Sequence, residues 1–217
     1  MITILNSGFN NLGSLLHALR WVGAVPKVAE SVNDIREASS LLLPGVGSFG
    51  VAMHRLVEQG FAAEVVRHAT DLGKPTIGIC LGMQLLLDES DEHGTHAGLG
   101  LIKGRATALD SVLAPEQVPR LGWDIVQIDG DHPCLPQART SRDFYFAHSY
   151  HAICANPSDV IATTPFGQGR IAAVIARKNV VGCQFHPEKS HDAGMDFLEA
   201  LVAFCEKLEL TDAGPLS

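Results

Sequence analysis

Apolar and polar positions follow two different patterns along the chain, and the change falls near residue 98. Before it, short apolar runs such as Ile2–Leu5 and Pro75–Ile79 alternate with segments such as Leu12–Val22, where apolar residues recur every three or four positions. The first pattern is typical of buried strands and the second of amphipathic helices. Strands that alternate with helices over short loops predict a mostly parallel sheet with helices on both faces.

The remaining elements are predicted in the same way. In the first part they are strands at Val25–Ala29 and Leu41–Leu43, the second ended by Pro44–Gly47, and helices at Gly50–Glu58, Phe61–Leu72 and Leu81–Leu87. Between Gly98 and Gln184 the apolar runs are short and separated by Gly, Pro and Asp, which is typical of antiparallel or mixed strands. These runs are Trp123–Ile128, Phe144–Tyr150, Val160–Thr164, Ile171–Ala176 and Val180–Phe185.

The chain of 217 residues shows neither internal repeats nor long linkers, and it closes with a helical pattern at His191–Leu210. A length in this range fits one large domain. We therefore predict a single α/β domain over residues 1–210 with flavodoxin-like layering around a central, mostly parallel or mixed sheet. Residues 211–217 are predicted to form a C-terminal tail.

Composition narrows the class of protein. Hydrophobic residues make up 46% and charged residues 18%, which excludes a disordered chain. No apolar run reaches the roughly 18 residues of a membrane helix, and the N-terminus lacks a basic region, so we expect a cytoplasmic protein. The net charge of −8 without basic clusters argues against nucleic acid as a ligand. Five widely spaced cysteines form neither a disulfide framework nor a zinc motif.

One cysteine stands in a setting that the other four lack. Gly78-Ile-Cys80-Leu-Gly82 spans the junction of a predicted strand and a predicted helix. It has the form of a nucleophile elbow, in which small flanking residues permit a tight turn that exposes the central side chain. The positive potential at a helix N-terminus favours a thiolate there, so Cys80 is a candidate nucleophile.

A candidate base follows 106 residues downstream. Gln184-Phe-His186-Pro-Glu188 lies at the end of a predicted strand, where residues two apart point the same way. His186 would then serve as general base and later as general acid, with Glu188 orienting the imidazole. The alternative, a surface histidine beside an acid, is weakened by the elbow cysteine upstream.

Acyl transfer also needs donors for the developing oxyanion. Pro44-Gly45-Val46-Gly47 follows a predicted strand, and its small residues let backbone N–H groups of the segment approach a substrate closely. The N–H of Leu81, next to the nucleophile, is the second candidate donor. Taken alone, the tetrapeptide fits a simple turn equally well.

These motifs resemble a known family. Gly78–Gln84 (Gly-Ile-Cys-Leu-Gly-Met-Gln) and Phe185–Glu188 (Phe-His-Pro-Glu) are similar to the triad glutamine amidotransferases of class I. Further similar stretches are Pro44–Phe49, Gly98–Gly104, Val118–Trp123, Tyr145–Tyr150 and Lys189-Ser190. Together they resemble, over nearly the whole chain, the glutaminase-subunit family of imidazole glycerol phosphate synthases.

The resemblance implies an activity and a partner. Cys80 would attack the side-chain amide of glutamine, release ammonia and leave a glutamyl thioester that water hydrolyses. Ammonia would pass to a separate (β/α)₈-barrel cyclase subunit that makes imidazole glycerol phosphate and aminoimidazole carboxamide ribotide in histidine biosynthesis. No metal or other cofactor is implied. Around glutamine the family places the backbone of Gly45–Gly47, the side chain of Gln84 and the backbone of Ser149 and Tyr150.

The same resemblance implies a partner interface or gate at Asn11, Arg120, Trp123 and Lys189. Arg120 stands where the family usually has His, and Asp124 where it usually has Asn. In the N-terminal loop Asn6–Asn11, only Gly8 and Asn11 match the family. Trp123 could instead be a core residue, and Lys189 could be a solvated charge.

Other readings stay open at this point. The chain could serve another synthase, such as one making anthranilate or a pyrimidine precursor. It could be a non-catalytic regulatory subunit, or a free-standing cysteine hydrolase of γ-glutamyl substrates. The acidic, histidine-containing segment Asp88–His96 favours a solvated surface loop over a metal site. His148 and His151 favour structural or substrate-shaping roles.

Overall fold

Five parallel strands form one half of a nine-stranded sheet. The structure, a computed structural model, describes residues 1–6, 12–109, 118–128, 132–135 and 141–212. The strands lie in the order β2 (Pro26–Ala29), β1 (Ile2–Leu5), β3 (Ser40–Gly45), β4 (Thr76–Cys80) and β13 (Val180–Cys183). All residues of β1, β4 and β13 are buried, as in strands covered on both faces. The predicted parallel core is confirmed.

Four antiparallel strands complete the sheet. Beyond β13 follow β12 (Gly169–Arg177), β11 (Val160–Phe166), β8 (Arg120–Ile128) and β9 (Ser141–His148). Along β8 the side chains of Leu121, Trp123 and Ile125 are exposed, while Arg120 and Val126 are buried. The large sheet is therefore mixed, as the pattern after residue 98 predicted.

Helices cover both faces of this sheet. Helices α1 (Leu12–Trp21) and α6 (His191–Asp212) pack on one face. The other face carries α2 (Val32–Glu37), α3 (Phe49–Glu58), α4 (Phe61–Thr70) and α5 (Leu81–Leu85). On the first face Phe197 packs edge-on against Phe185 and Phe144. Helix α6 runs two residues past its predicted end, and residues 213–217 lie outside the described part.

Helix α2 was not among the predicted elements, although its start has a readable signal. The Ser31 hydroxyl accepts a hydrogen bond from the Asp34 N–H, and the Asp34 carboxylate accepts one from the Ser31 N–H. This reciprocal pair is a capping box, which satisfies two donors at the helix start. The spacing Ser-x-x-Asp is thus the signal that marks this six-residue helix.

The prediction of one strand over Phe144–Tyr150 is wrong, because the chain changes sheets at Ser149. His148 pairs with Arg120 in the large sheet, whereas Tyr150 pairs with Ala108 in a second, smaller sheet. That sheet has the order β10 (Tyr150–Cys154), β7 (Gly104–Ala108), β5 (Glu89–Ser90) and β6 (His96–Ala97). The crossing leaves Ser149 between the two sheets, beside the end of β4.

Candidate active site

Cys80 occupies a strained turn between β4 and α5. Its backbone angles, φ 54° and ψ −111°, lie in a region that non-glycine residues rarely adopt. Glycines make the turn possible: a Cβ on Gly78 would come within 2.5 Å of the Gly82 backbone, and one on Gly82 would overlap the Leu43 carbonyl. The predicted nucleophile elbow is therefore formed, with its thiol at the end of the parallel sheet.

His186 lies beside this thiol. It follows β13, the neighbour of β4, so the parallel pairing brings it to the same end of the sheet. Its Nδ1 is 2.9 Å from the Glu188 Oε1, and its ring is close enough to Cys80 for the sulfur to influence its pKa. The Ser190 hydroxyl and the Tyr145 carbonyl hold the His186 backbone at 2.6 Å and 2.9 Å.

Glu188 reaches His186 in a way that the sequence pattern did not predict. Pro187–Lys189 forms a 3₁₀ turn, so the two side chains meet across a turn and not along an extended strand. Both are largely buried, with 5% and 11% of the His186 and Glu188 side chains exposed. The predicted contact exists, but the extended geometry offered for it was wrong.

The surroundings of His186 favour its charged form. Burial by itself lowers the pKa of His186, but its hydrogen bonds with Cys80 and Glu188, and the charges of both partners, outweigh burial. Together they raise the pKa to about 10. An imidazolium held next to a sulfur atom is the arrangement that activates a cysteine nucleophile.

A cavity of about 480 Å³ opens in front of Cys80. The predicted substrate and oxyanion residues that line it are Val46, Gly47, Leu81, Gln84, Ser149 and Tyr150. Gly45 pairs with Cys80 across β3 and β4, and a Cβ on it would come within 2.6 Å of the Leu81 Cβ. Gly47 has φ +111°, which favours glycine, and Leu81 holds the first helical N–H.

Two residues of the Asp88–His96 segment line the same cavity. They are Glu92 and His93, and the Glu92 carboxylate accepts a hydrogen bond from the Phe49 N–H. The exposed His93 fits the interpretation of this segment as a solvated loop, whereas the half-buried Glu92 carboxylate is bound to the cavity wall. The short strands β5 and β6 flank the loop and turn it toward the cavity, which the local pattern did not reveal.

A family model described as glutamine amidotransferase class-I matches residues 3–202. The chain belongs to this family. It is 41% identical over 208 residues to the imidazole glycerol phosphate synthase subunit HisH of Wolinella succinogenes, covering 95% of this chain and 99% of the relative. The corresponding subunit of Symbiobacterium thermophilum is 42% identical over 197 residues, covering 91% of each chain.

Solved structures share the fold of this amidotransferase. A crystal structure of a glutamine amidotransferase superposes with a TM-score of 0.72 at 17% identity, covering 93% of this chain and 98% of that one. The structure of PurLQS from Thermotoga maritima superposes with a TM-score of 0.69 at 19% identity, covering 95% and 98%. At these identities the likeness establishes the fold alone.

Three of the predicted interface residues lie in the described part of the amidotransferase, in two different settings. Trp123 is 48% exposed and stacks on His191 at 4.9 Å, and the Lys189 ammonium lies 5.7 Å from the Tyr145 ring. Arg120, in contrast, is buried. Asn11 lies outside the described residues.

The buried Arg120 guanidinium is held inside the sheet. It forms an ion pair with Asp124, donates to the Thr164 hydroxyl at 2.7 Å, and lies 4.0 Å above the Phe146 ring. Its position opposite His148 places a fixed positive charge beside the cavity wall. Burial, with a smaller contribution from this charge, lowers the pKa of His148 to about 3.

Within the described ranges, no three His, Cys, Asp or Glu side chains come together as a metal site. Among the helices of that same part of the chain, none is both long and apolar enough to cross a membrane.

The motifs in the sequence did not reveal one residue that contacts the Cys80 sulfur. The buried Gln184 amide lies 3.7 Å from the Cys80 sulfur, and its position before the Phe-His-Pro-Glu stretch was the available signal.

Proposed function

We propose that this chain is the glutaminase subunit of an imidazole glycerol phosphate synthase. The observation that carries the proposal is the contiguous set Cys80, His186 and Glu188 at one end of a 480 Å³ cavity. Support also comes from the relatives in Wolinella and Symbiobacterium, which are named as subunits of that synthase.

The reaction would follow the triad geometry. The Cys80 thiolate attacks the side-chain amide carbon of glutamine, and the carbon–nitrogen bond breaks as His186 gives its proton to the leaving ammonia. A glutamyl thioester on Cys80 remains. A water molecule then attacks the thioester while His186 takes its proton, which releases glutamate and restores the Cys80 thiolate beside a protonated His186. The Glu188 carboxylate holds the imidazole by its Nδ1–H throughout.

Backbone donors would stabilise the tetrahedral intermediates. The Leu81 N–H adjoins the nucleophile, and Val46, flanked by Gly45 and Gly47, lines the same cavity. Donors that converge on a developing oxyanion typically contribute about 10²–10³-fold in rate each. We assign the oxyanion hole to Val46 and Leu81 on this basis.

Substrate recognition would come from the remaining cavity wall. The Gln84 side chain donates both of its N–H groups, to the Tyr150 carbonyl and to Gln184, which leaves its oxygen for contact with the substrate. The backbone of Ser149 and Tyr150 would bind the substrate carboxylate. Glu92 supplies a carboxylate on the opposite wall, suited to the α-ammonium group.

The partner would be a (β/α)₈-barrel cyclase, docked on the exposed face of β8. Leu121, Trp123 and Ile125 form an apolar row there, 67%, 48% and 51% exposed, which we call the β8 row. Lys189 is assigned to the same interface. Ammonia would pass into the barrel, which uses it to form imidazole glycerol phosphate and aminoimidazole carboxamide ribotide in the cytoplasm.

The test is glutamate release from glutamine by the purified chain alone, with the cyclase, and with cyclase plus its ribonucleotide substrate. Cys80→Ala is the control. Activity that requires the liganded cyclase and disappears in Cys80→Ala is the expected result. Full activity of the chain alone would indicate a free-standing hydrolase, and no activity in any mixture would indicate a different partner or a regulatory subunit.

A further inference from the structure

The side chain of Gln184 is fully buried although it is polar. It lies between the last residue of β13 and His186, and its backbone N–H donates to the Ala173 carbonyl at 2.9 Å. A buried amide is costly unless its donors and acceptors are paired. The partners of this amide therefore indicate its purpose.

The Gln184 amide ends a chain of hydrogen bonds that begins on the cavity wall. The Tyr150 carbonyl accepts from His148 Nδ1–H at 2.8 Å and from Gln84 Nε2 at 2.9 Å. Gln84 Nε2 also donates to Gln184 Oε1 at 3.1 Å. Gln184 Nε2 in turn lies 3.7 Å from the Cys80 sulfur.

The Tyr150 carbonyl determines which group donates and which accepts in each hydrogen bond of this series. A backbone carbonyl can only accept, so Gln84 must present its NH₂ group to Tyr150. Gln184 must then turn its oxygen toward Gln84, and this leaves its NH₂ group facing Cys80. The orientation of the donor at the sulfur is thus imposed by a carbonyl two contacts away.

We propose that Gln184 is a further catalytic residue, whose side-chain N–H stabilises the Cys80 thiolate before it attacks glutamine. This inference rests on the proposed function. As a thiol, Cys80 can donate to the Ala147 carbonyl at 3.8 Å. Once the proton moves to His186, the sulfur becomes an acceptor, so the Ala147 contact turns unfavourable and the Gln184 contact favourable. Of the two contacts, the one with Ala147 favours the thiol and the one with Gln184 favours the thiolate, so loss of the Gln184 donor shifts the balance toward the thiol.

Other titratable groups lie near this sulfur or line the same cavity, and a substitution at Gln184 alters none of them chemically. They are His186 and Glu188 after β13, Cys183 on β13, His148 on β9, Tyr150 on β10, and Glu92 and His93 in the cavity wall. Burial raises the pKa of Cys183 well above its usual range, which keeps it a thiol. A shift seen on changing Gln184 alone is therefore attributable to its amide.

The test measures alkylation of Cys80 by iodoacetamide as a function of pH, by mass spectrometry of the peptide that carries it. The rate follows the thiolate fraction. Gln184→Met removes the donor at similar volume, and Gln184→Glu replaces it with an acceptor. We expect the pH of half-maximal reaction to rise by about one unit for Gln184→Met and by more for Gln184→Glu. Gln168→Met and Gln168→Glu, in an exposed turn, are the matched controls.

An unchanged midpoint in either folded Gln184 variant would overturn the proposal, even if glutamate release by the complex were lost. Continued protection of the buried Cys183 from alkylation identifies the folded variants. In the liganded cyclase complex we expect glutamate release to fall about tenfold for Gln184→Met. If the wild type released no glutamate with any cyclase, the proposed function would fail while the alkylation midpoints still decided the role of Gln184.

Discussion

The parallel and antiparallel halves of the large sheet differ in how far they are buried and in which residues they present. In the parallel half, β1, β4 and β13 are buried along their whole length, and the ends of β4 and β13 carry Cys80 and lead to His186. In the antiparallel half, β8 exposes an apolar row, and the β9 end joins the cavity wall. The buried parallel half thus positions the proposed reacting groups, and the antiparallel half, with its open face, is available for recognition.

Burial on both sides makes the first half intolerant of change at its strand ends. The elbow at Cys80 depends on contacts in which there is no room for a methyl group, and the His186–Glu188 pair is largely buried. On the open face of β8, side chains can change without disturbing the core. Substitutions in the two halves should therefore separate chemistry and stability from partner binding.

The largest effect is expected from Glu188→Gln, which removes the charge that stabilises the His186 imidazolium. Loss of an analogous carboxylate typically costs about 10³–10⁴-fold, or roughly 4–5 kcal/mol, in the chemical step. Glutamate release by the liganded complex measures it. Glu58→Gln removes an exposed His54–Glu58 pair on α3. Because exposed pairs contribute little, its rate should stay within about twofold of the wild-type rate. A comparable loss in both variants would contradict the assignment of Glu188.

The next largest effect is expected from Gly82→Ala, which should destabilise the parallel half. The added Cβ would overlap the Leu43 carbonyl. Because that carbonyl belongs to the backbone, no side-chain rotation can relieve the overlap. We expect a loss of about 3 kcal/mol in the free energy of unfolding, measured with urea, because overpacking in a dense core costs this order of energy. Gly169→Ala, whose Cβ would have its nearest contact at 3.9 Å, should change it by less than about 0.5 kcal/mol. Equal changes in the free energy of unfolding for the two variants would show that the backbone around Cys80 adjusts to the added methyl group.

The same difference explains what could be predicted from sequence. The elbow was predictable because its requirement is local: Gly78 and Gly82 must flank Cys80 whatever the rest of the chain does. The pairing of His186 with Cys80 was predicted from the two motifs, whereas the parallel pairing of β13 with β4 that brings them to one edge was not, because Val180–Phe185 was grouped with the antiparallel or mixed strands. The 3₁₀ turn that brings Glu188 to His186 did not follow, because a proline after a strand fits an extended end as well as a turn.

Features that depend on distant partners were beyond such patterns. The small sheet rests on two-residue strands such as β5 and β6, too short for alternation to be read. The position of Glu92 in the cavity follows from that sheet. The contact of Gln184 with Cys80 depends on Gln84, 100 residues away, so the local sequence offered no more than its position before the Phe-His-Pro-Glu stretch.

A smaller effect is the pH dependence of stability that a buried histidine contributes in the parallel half. His68 on α4 is almost fully buried against the parallel half, and burial lowers its pKa to about 4, with the Pro75 carbonyl opposing. The unfolded chain therefore takes up a proton below about pH 6.5, before the folded chain does. This contribution to stability is complete above pH 6.5 and declines as pH falls toward 4.

Urea unfolding at pH 7.5 and 5.0 tests the contribution of His68. Between these values it amounts to about 2 kcal/mol, from roughly 1.4 kcal/mol per pKa unit. His68→Gln, which keeps a donor for the Pro75 carbonyl, should lose about 2 kcal/mol less than the wild type over this range. His54→Gln, on an exposed helix face, should lose as much as the wild type. Equal losses in the wild type and His68→Gln would exclude His68 as the source.

The smallest expected effect concerns the open half, and a matched pair of isoleucines isolates it. Ile125 in the β8 row is 51% exposed, and Ile153 on β10 is 44% exposed, so truncation of either removes a similar apolar surface from water. Ile125→Ala should weaken cyclase binding about fivefold, near 1 kcal/mol, because interface truncations outside a hot spot cost this order of energy. Ile153→Ala should leave the Kd unchanged, and neither variant should change glutamate release at saturating cyclase. Titration calorimetry with the cyclase measures both, and a weaker complex for Ile153→Ala alone would move the docking surface from the large sheet to the small one.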